Sequence, residues 1–169
     1  MHRRTTLIAP IAMLGTAALL KTQAAHATTM SSGSYTTQVL QYGTLSKETS
    51  RIARANTSTH NLFEFATGEI LEQTAIAQSL TGMASPKPAK LSAAQQADLA
   101  KVQDATPADF DQTYLTVQIQ GHEALLQLQE EFLGSNPVYG ADLVHIALIA
   151  TAFIKNHLYI LRNLKNGTL

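Results

Sequence analysis

Residues 106–133, TPADFDQTYLTVQIQGHEALLQLQEEFL, decide the fold of this chain. Successive residues of a helix turn through about 100°. On that wheel Phe110, Val117, Gly121, Ala124 and Leu128 form one apolar stripe, and Leu115, Ile119, Leu126 and Leu133 form a second. A polar line of Asp111, Gln118, His122 and Gln129 runs between them, with Tyr114 on the same broad face. A helix that is apolar on both sides of a polar line touches two neighbours, and the line points at the axis of a bundle. Thr106-Pro107-Ala108-Asp109 offers a cap, a proline for the first helical position and an early acid, so the helix is expected to start there and to run to about Leu133.

The partners of this helix follow from the same reading. Tyr42, Leu45, Thr49, Ile52 and Ala53 share one face of a weakly apolar first helix over 35–55. After a break at 56–59, with Ser58 or Thr59 as N-cap, a second helix carries the seam Leu62, Ala66, Glu69, Gln73, Ile76, Leu80 and stops at Gly82. Ser85-Pro86-Lys87-Pro88 cannot continue it, and the Ala/Gln-rich stretch 92–103 reads as a short exposed helix within a long crossover. A turn at 134–140 leads to the last helix, 141–166, with the seam Leu143, Ile146, Ala150, Phe153, His157, Ile160, Leu164 and with His145, Asn156 and Asn163 on its far side. No segment alternates as a strand would, and no fixed repeat occurs. The expected fold is all-α: an antiparallel four-helix bundle whose long connection between helices 2 and 3 carries a short extra helix.

The N-terminus reads as an export signal, with Arg3 and Arg4 ahead of an apolar stretch and a small-residue end at Ala25-His26-Ala27, so cleavage is expected after Ala27. The stretch 7–20 contains Pro10 and Gly15 and falls short of the roughly 20 residues a membrane span needs, so no transmembrane anchor is expected after cleavage. Arg3-Arg4 with Leu7 close behind also suits a twin-arginine signal; Thr6 stands where that signal usually has an aromatic, and Sec export suits the stretch equally. This divides the chain into a signal peptide at 1–27, a flexible mature start at 28–34 and a bundle domain at 35–166, placed in a periplasm or outside a bacterial cell. Losing Arg3, Arg4 and Lys21 leaves nine of the twelve basic residues against twelve acidic ones, which argues against nucleic acid or anionic lipid as a partner. The chain has no cysteine, which excludes disulfides, lipid-anchored cysteine and thiolate chemistry.

Five polar residues lie where the bundle should be apolar: Glu69, Gln73, Gln118, His122 and His157. Buried polar groups cost free energy unless they bond to one another or to a ligand. Glu72 flanks the seam, whereas Glu64, Glu123 and His145 point to solvent. Glu69, His122 and His157 come from the middle of three helices, within about two turns of one another. One carboxylate and two imidazoles make a ligand set for Zn, Fe or Cu, with Gln73, Gln118 and Tyr114 around them. A plainer reading has the same residues hydrogen-bonded among themselves and to a trapped water, with Glu69 holding one imidazolium as a buried pair.

The segment Phe110-Asp111, Tyr114, Gln118, Gly121-His122-Glu123, Leu126, followed by His157-Leu158, resembles the ferritin-like domain of unknown function family 4142. Gly43, Arg51 to Ala53 and Phe65-Ala66 share in the resemblance, which spans about 38–164. It implies a secreted or periplasmic four-helix domain, of a kind often labelled outer membrane protein, with no established activity. The chain departs from the common family pattern at Glu72-Gln73, where many members resemble Asp-His. A di-iron carboxylate centre needs Glu-x-x-His pairs, and here Ile119 and Ile154 stand three residues before His122 and His157, so ferritin chemistry is not expected.

No phosphate loop, nucleophile elbow or basic-aromatic surface is present in the sequence. The residues thus point to an exported, envelope-associated helical protein without enzymatic activity. The alternative is a metal-binding protein, redox-active in one version, built on Glu69, His122 and His157.

Overall fold

A computed structural model of the chain describes residues 30–135 and 141–168. The expected signal peptide and its cleavage point lie outside the described residues, as does most of the expected turn at 134–140. The fold is all-α, with α1 Ser32–Asn56, α2 His60–Thr81, α3 Ala93–Gln103, α4 Phe110–Gly134 and α5 Ala141–Asn166. Helix α1 starts three residues before Tyr35, because the Ser31 side chain accepts a hydrogen bond from the Ser34 amide and so caps an earlier turn. Gly82 ends α2 in the left-handed conformation at φ 65°, where a side chain would be strained. Ser92 and Gln95 form a reciprocal capping box at the start of α3.

Two expectations need correction. Thr106-Pro107-Ala108-Asp109 is a turn ahead of α4, closed by Asp109 N donating to Thr106 O at 3.0 Å, so the helix begins at Phe110 and Pro107 is not its first residue. The inner face of α5 is Ala147, Ala150, Ile154, Leu158 and Leu161, whereas Phe153 is 48% exposed. This helix carries two apolar stripes, and its closest packing is on α4 rather than on α2. The stripe read from the sequence is the shoulder turned toward α2, about 70° from the buried one.

Contacts across the helices give their directions. Ser46 meets Glu69 while Gly43 meets Gln73, so α1 and α2 are antiparallel. Tyr35 meets Gln129 and Ser50 meets Tyr114, so α1 and α4 are antiparallel as well. Helices α2 and α4 therefore run the same way, which requires the long return through 82–109. That return is tied to α1 by Gln41 Nε2 donating to Lys90 O at 2.9 Å and by Ala89 N donating to Thr44 Oγ1 at 3.0 Å. Val102 of α3 is fully buried and closes the core there.

The helical bundle has two apolar clusters with a polar layer between them. One cluster gathers Leu62, Phe65, Ala66, Phe110, Tyr114, Val117 and Leu161. The other gathers Tyr35, Val39, Leu125, Leu128, Phe132, Ile154 and Leu158, with the Tyr35 and Phe132 rings stacked at 3.9 Å. In the layer between sit Ser46, Thr49, Ser50, Glu69, Gln73, Gln118 and His122, all buried. Apolar burial on both sides fixes the helices, and the layer inherits that rigidity.

Candidate metal centre

The polar layer converges on three atoms. Glu69 Oε2 lies 3.6 Å from His122 Nε2 and 3.1 Å from His157 Nδ1, and the two ring nitrogens are 3.3 Å apart. Glu69 and His122 are 1% exposed, and the His157 side chain is 13% exposed. Glu69 Oε2 is buried and finds no donor while the two ring protons sit on the far nitrogens, and a proton on either facing nitrogen would point at it. Phe65, one turn before Glu69, packs its ring against both imidazoles, with centroids 5.2 Å from His157 and 6.3 Å from His122.

The outer atom of each of these three side chains is held from behind. His122 Nδ1 lies 2.8 Å from the Gln118 carbonyl oxygen, which only accepts, so this nitrogen carries the proton and neutral His122 presents a bare Nε2. His157 Nε2 lies 3.4 Å from Glu72 Oε2. Glu69 Oε1 accepts from Ser46 Oγ at 2.5 Å and from Gln73 Nε2 at 2.9 Å, which leaves only Oε2 to face inward. With Glu72 ionised, both imidazoles hold their protons on the outside, and three lone-pair atoms face one another. Such a cluster needs a cation, either a proton on one ring or a metal ion.

The electrostatics agree. Burial pulls the His122 imidazole down, but the Glu69 carboxylate outweighs it, and the ring is raised overall. Burial pushes the Glu69 carboxyl up, yet the facing His122 and His157 hold it well below the usual carboxylate range. Glu72 is pushed up, by its own burial first and by the neighbouring Glu69 charge.

Every residue singled out at mid-bundle is in or beside this layer, but not always in the expected role. Gln73 touches Glu69 directly. Gln118 reaches His122 with its backbone carbonyl, while its side chain bonds to Ser46, Thr49 and Ser50 of α1. The Tyr114 hydroxyl pairs with Ser50 Oγ at 2.9 Å and does not reach the histidines. Glu72, which flanks the α2 seam in the sequence, faces His157, and Ser46 donates to Glu69 from α1. His145 and Glu123 are exposed, as helical phase indicates.

Gly43 shows how closely α1 approaches α2. A Cβ at this position would stand 2.6 Å from Gln73 Oε1, so Gly43→Ala must push the Gln73 side chain away from Glu69. The lost hydrogen bond costs about 1 kcal/mol, and alanine in a helix interior returns about 1 kcal/mol. Stability is expected to stay nearly level. Metal affinity, measured by competition with a chelator, is expected to fall about tenfold, the usual cost of losing a group that orients a ligand.

A family model described as Domain of unknown function (DUF4142) matches residues 17–164. No curated protein and no solved structure matches the chain. All five helices and the whole of the Glu69, His122 and His157 cluster fall within the matched residues or run at most two residues past them, and the chain belongs to the Domain of unknown function (DUF4142) family.

Proposed function

We propose that this protein is an exported, ferritin-like four-helix bundle that binds one divalent transition-metal ion, zinc by preference, through Glu69 Oε2, His122 Nε2 and His157 Nδ1. The observation that carries the reading is the buried, unpartnered Glu69 Oε2 facing two ring nitrogens whose other sides are already held. A tetrahedral ion with ligands at about 2.0–2.1 Å sets those ligands about 3.4 Å apart, and the three separations here are 3.1, 3.3 and 3.6 Å. The charge supports a divalent ion. Glu69 and Glu72 bring two negative charges beside two neutral imidazoles, and a 2+ ion cancels them. Three protein ligands leave a fourth position for solvent or another ligand. The parallel course of α2 and α4, with its long return, supports the ferritin-like description without a di-iron centre. Arg3-Arg4, the apolar stretch and Ala25-His26-Ala27 support export to a periplasm or the cell exterior.

The test is to recover the protein from the periplasm of a bacterial host, determine its mass and N-terminus, strip it with chelator and reload it by equilibrium dialysis. The expected results are a chain beginning at Thr28, one zinc or cobalt bound per chain, and visible cobalt bands of tetrahedral intensity. A stripped protein that takes up no stoichiometric metal, and whose melting is unmoved by zinc, copper or ferrous iron, overturns the metal reading.

A further inference from the structure

The three ligands are not held equally. Glu69 and His122 lie in the centre of the layer, and the bonds behind them are 2.5, 2.9 and 2.8 Å. His157 sits at the margin, 13% exposed, and the contact behind it is the 3.4 Å approach to Glu72, itself 20% exposed. Its place is the seam between α2 and α5, the loosest seam between neighbouring long helices. A groove of about 220 Å³ opens along this seam. Ala75, Ile76 and Ser79 line it from α2, Ile149 and Phe153 from α5, and Glu72 is the one charged residue on its wall. Glu72 joins the two: it lines the groove and its Oε2 lies 3.4 Å from His157 Nε2, so the imidazole is one side chain in from the groove.

We propose that His157 is the exchange ligand of this site: the ion enters and leaves through the α2–α5 groove, past Glu72, while His157 turns aside and Glu69 and His122 stay in place. The proposal rests on the metal reading above. It makes the bound ion an exchangeable cargo of the folded protein and not a structural staple released only by unfolding. The groove has the chemistry for this. Its walls are mostly apolar, and Glu72, the single carboxylate on them, draws the cation to the side of His157, whose turning aside exposes Nδ1 to it. Release reverses the path, with water replacing Nδ1 at the ion before the other two bonds break.

Cobalt uptake by the stripped full-length protein, and its release into excess chelator, are followed by the visible bands in a stopped-flow instrument. Ala75→Trp fills the groove from an exposed position and is expected to slow uptake and release alike by about tenfold, equivalent to about 1.4 kcal/mol in each barrier, with the equilibrium constant within twofold of wild type. Phe153→Ala opens the groove and is expected to speed both. Leu99→Trp places the same indole beside α1 and α3, far from the seam, and is expected to change neither rate. Circular dichroism melts check that each variant is folded. Wild-type rates in Ala75→Trp, or slowing shared equally by Leu99→Trp, overturn the proposed route while leaving the metal site standing. A wild-type protein that binds no cobalt at equilibrium overturns the metal reading and this proposal with it.

Discussion

Glu69→Ala is expected to abolish zinc binding and to lower the free energy of unfolding by about 3–5 kcal/mol, the range seen when one partner of a buried ion pair is removed. Three separate losses add up. The imidazolium that satisfies the metal-free cluster loses its counter-charge, and His122 is 1% exposed, so solvent cannot replace it. Ser46 Oγ and Gln73 Nε2 lose the acceptor they share at 2.5 and 2.9 Å. The truncated side chain also leaves a void between two close-packed clusters. Urea denaturation with an unchanged m-value is the measurement, since an unchanged slope shows that the surface exposed on unfolding is the same. Glu69→Gln separates the contributions. It keeps the volume and one acceptor oxygen, so the loss of stability should be smaller than for alanine, whereas zinc binding should still fail for want of a carboxylate. If both variants bind zinc as wild type does, Glu69 is not a ligand.

The sequence carries much of this centre and little of its frame. Glu69, Gln73, Gln118, His122 and Gln129 were legible because each interrupts an apolar stripe of a helix that touches neighbours on two sides, so periodicity alone puts them inside. His157 was harder to place. Helix α5 has a stripe for α4 and a second stripe for α2, and the one containing His157 is the more open, which is why Phe153 beside it is exposed rather than core. Thr49 fell on the inner face of α1 by helical phase, but the part that Ser46, Thr49 and Ser50 play was not legible, because a small hydroxyl residue suits a helix surface as well as a core. The Thr49 hydroxyl already bonds to Leu45 O of its own helix at 2.8 Å, the ordinary behaviour of threonine on a helix. Only the close approach of α4 turns these residues into a cradle for the Gln118 amide. Glu72 was legible only as a flank of the α2 seam, not as a partner of His157. A carboxylate at the flank of a helix becomes a partner of His157 only once the tilt of α5 is known, and no periodicity encodes tilt. The start of α4 was misread because Thr106 and Asp109 bond to each other in a turn, Thr106 Oγ1 donating to Asp109 Oδ2 at 2.7 Å, so neither caps the helix with its side chain.

Zinc and a proton should compete for the same cluster and stabilise this fold in different pH ranges. In the metal-free protein the Glu69 carboxyl lies below its unfolded value of 4.5, so its contribution to stability is present above that pH and is lost as the medium becomes more acid. His122 lies above its unfolded value of 6.5, so its contribution is complete below that pH and is lost as pH rises through the folded value. Glu72, also raised, contributes fully below its unfolded value of 4.5 and loses that contribution as pH climbs past it, which draws the maximum toward the acid side. His157 faces all three groups from α5 and completes the set. Stripped protein is therefore expected to be most stable between about pH 4.5 and 6.5 and to weaken above, by about 1.4 kcal/mol for each unit by which the folded His122 value exceeds the unfolded one. Zinc replaces the proton shared in the cluster and binds only bare ring nitrogens, so its affinity should climb over the same interval in which the stripped protein weakens. With zinc free at about 100 times its dissociation constant, the added stability is about 2.7 kcal/mol, and the gap between loaded and stripped melting curves should widen from pH 5.5 to pH 8. His122→Gln should flatten the alkaline decline of the stripped protein, because the group whose proton is lost there is gone. A stripped protein that gains stability steadily from pH 5.5 to pH 8 would show that the histidines are buried neutral, with no proton in the cluster for zinc to displace.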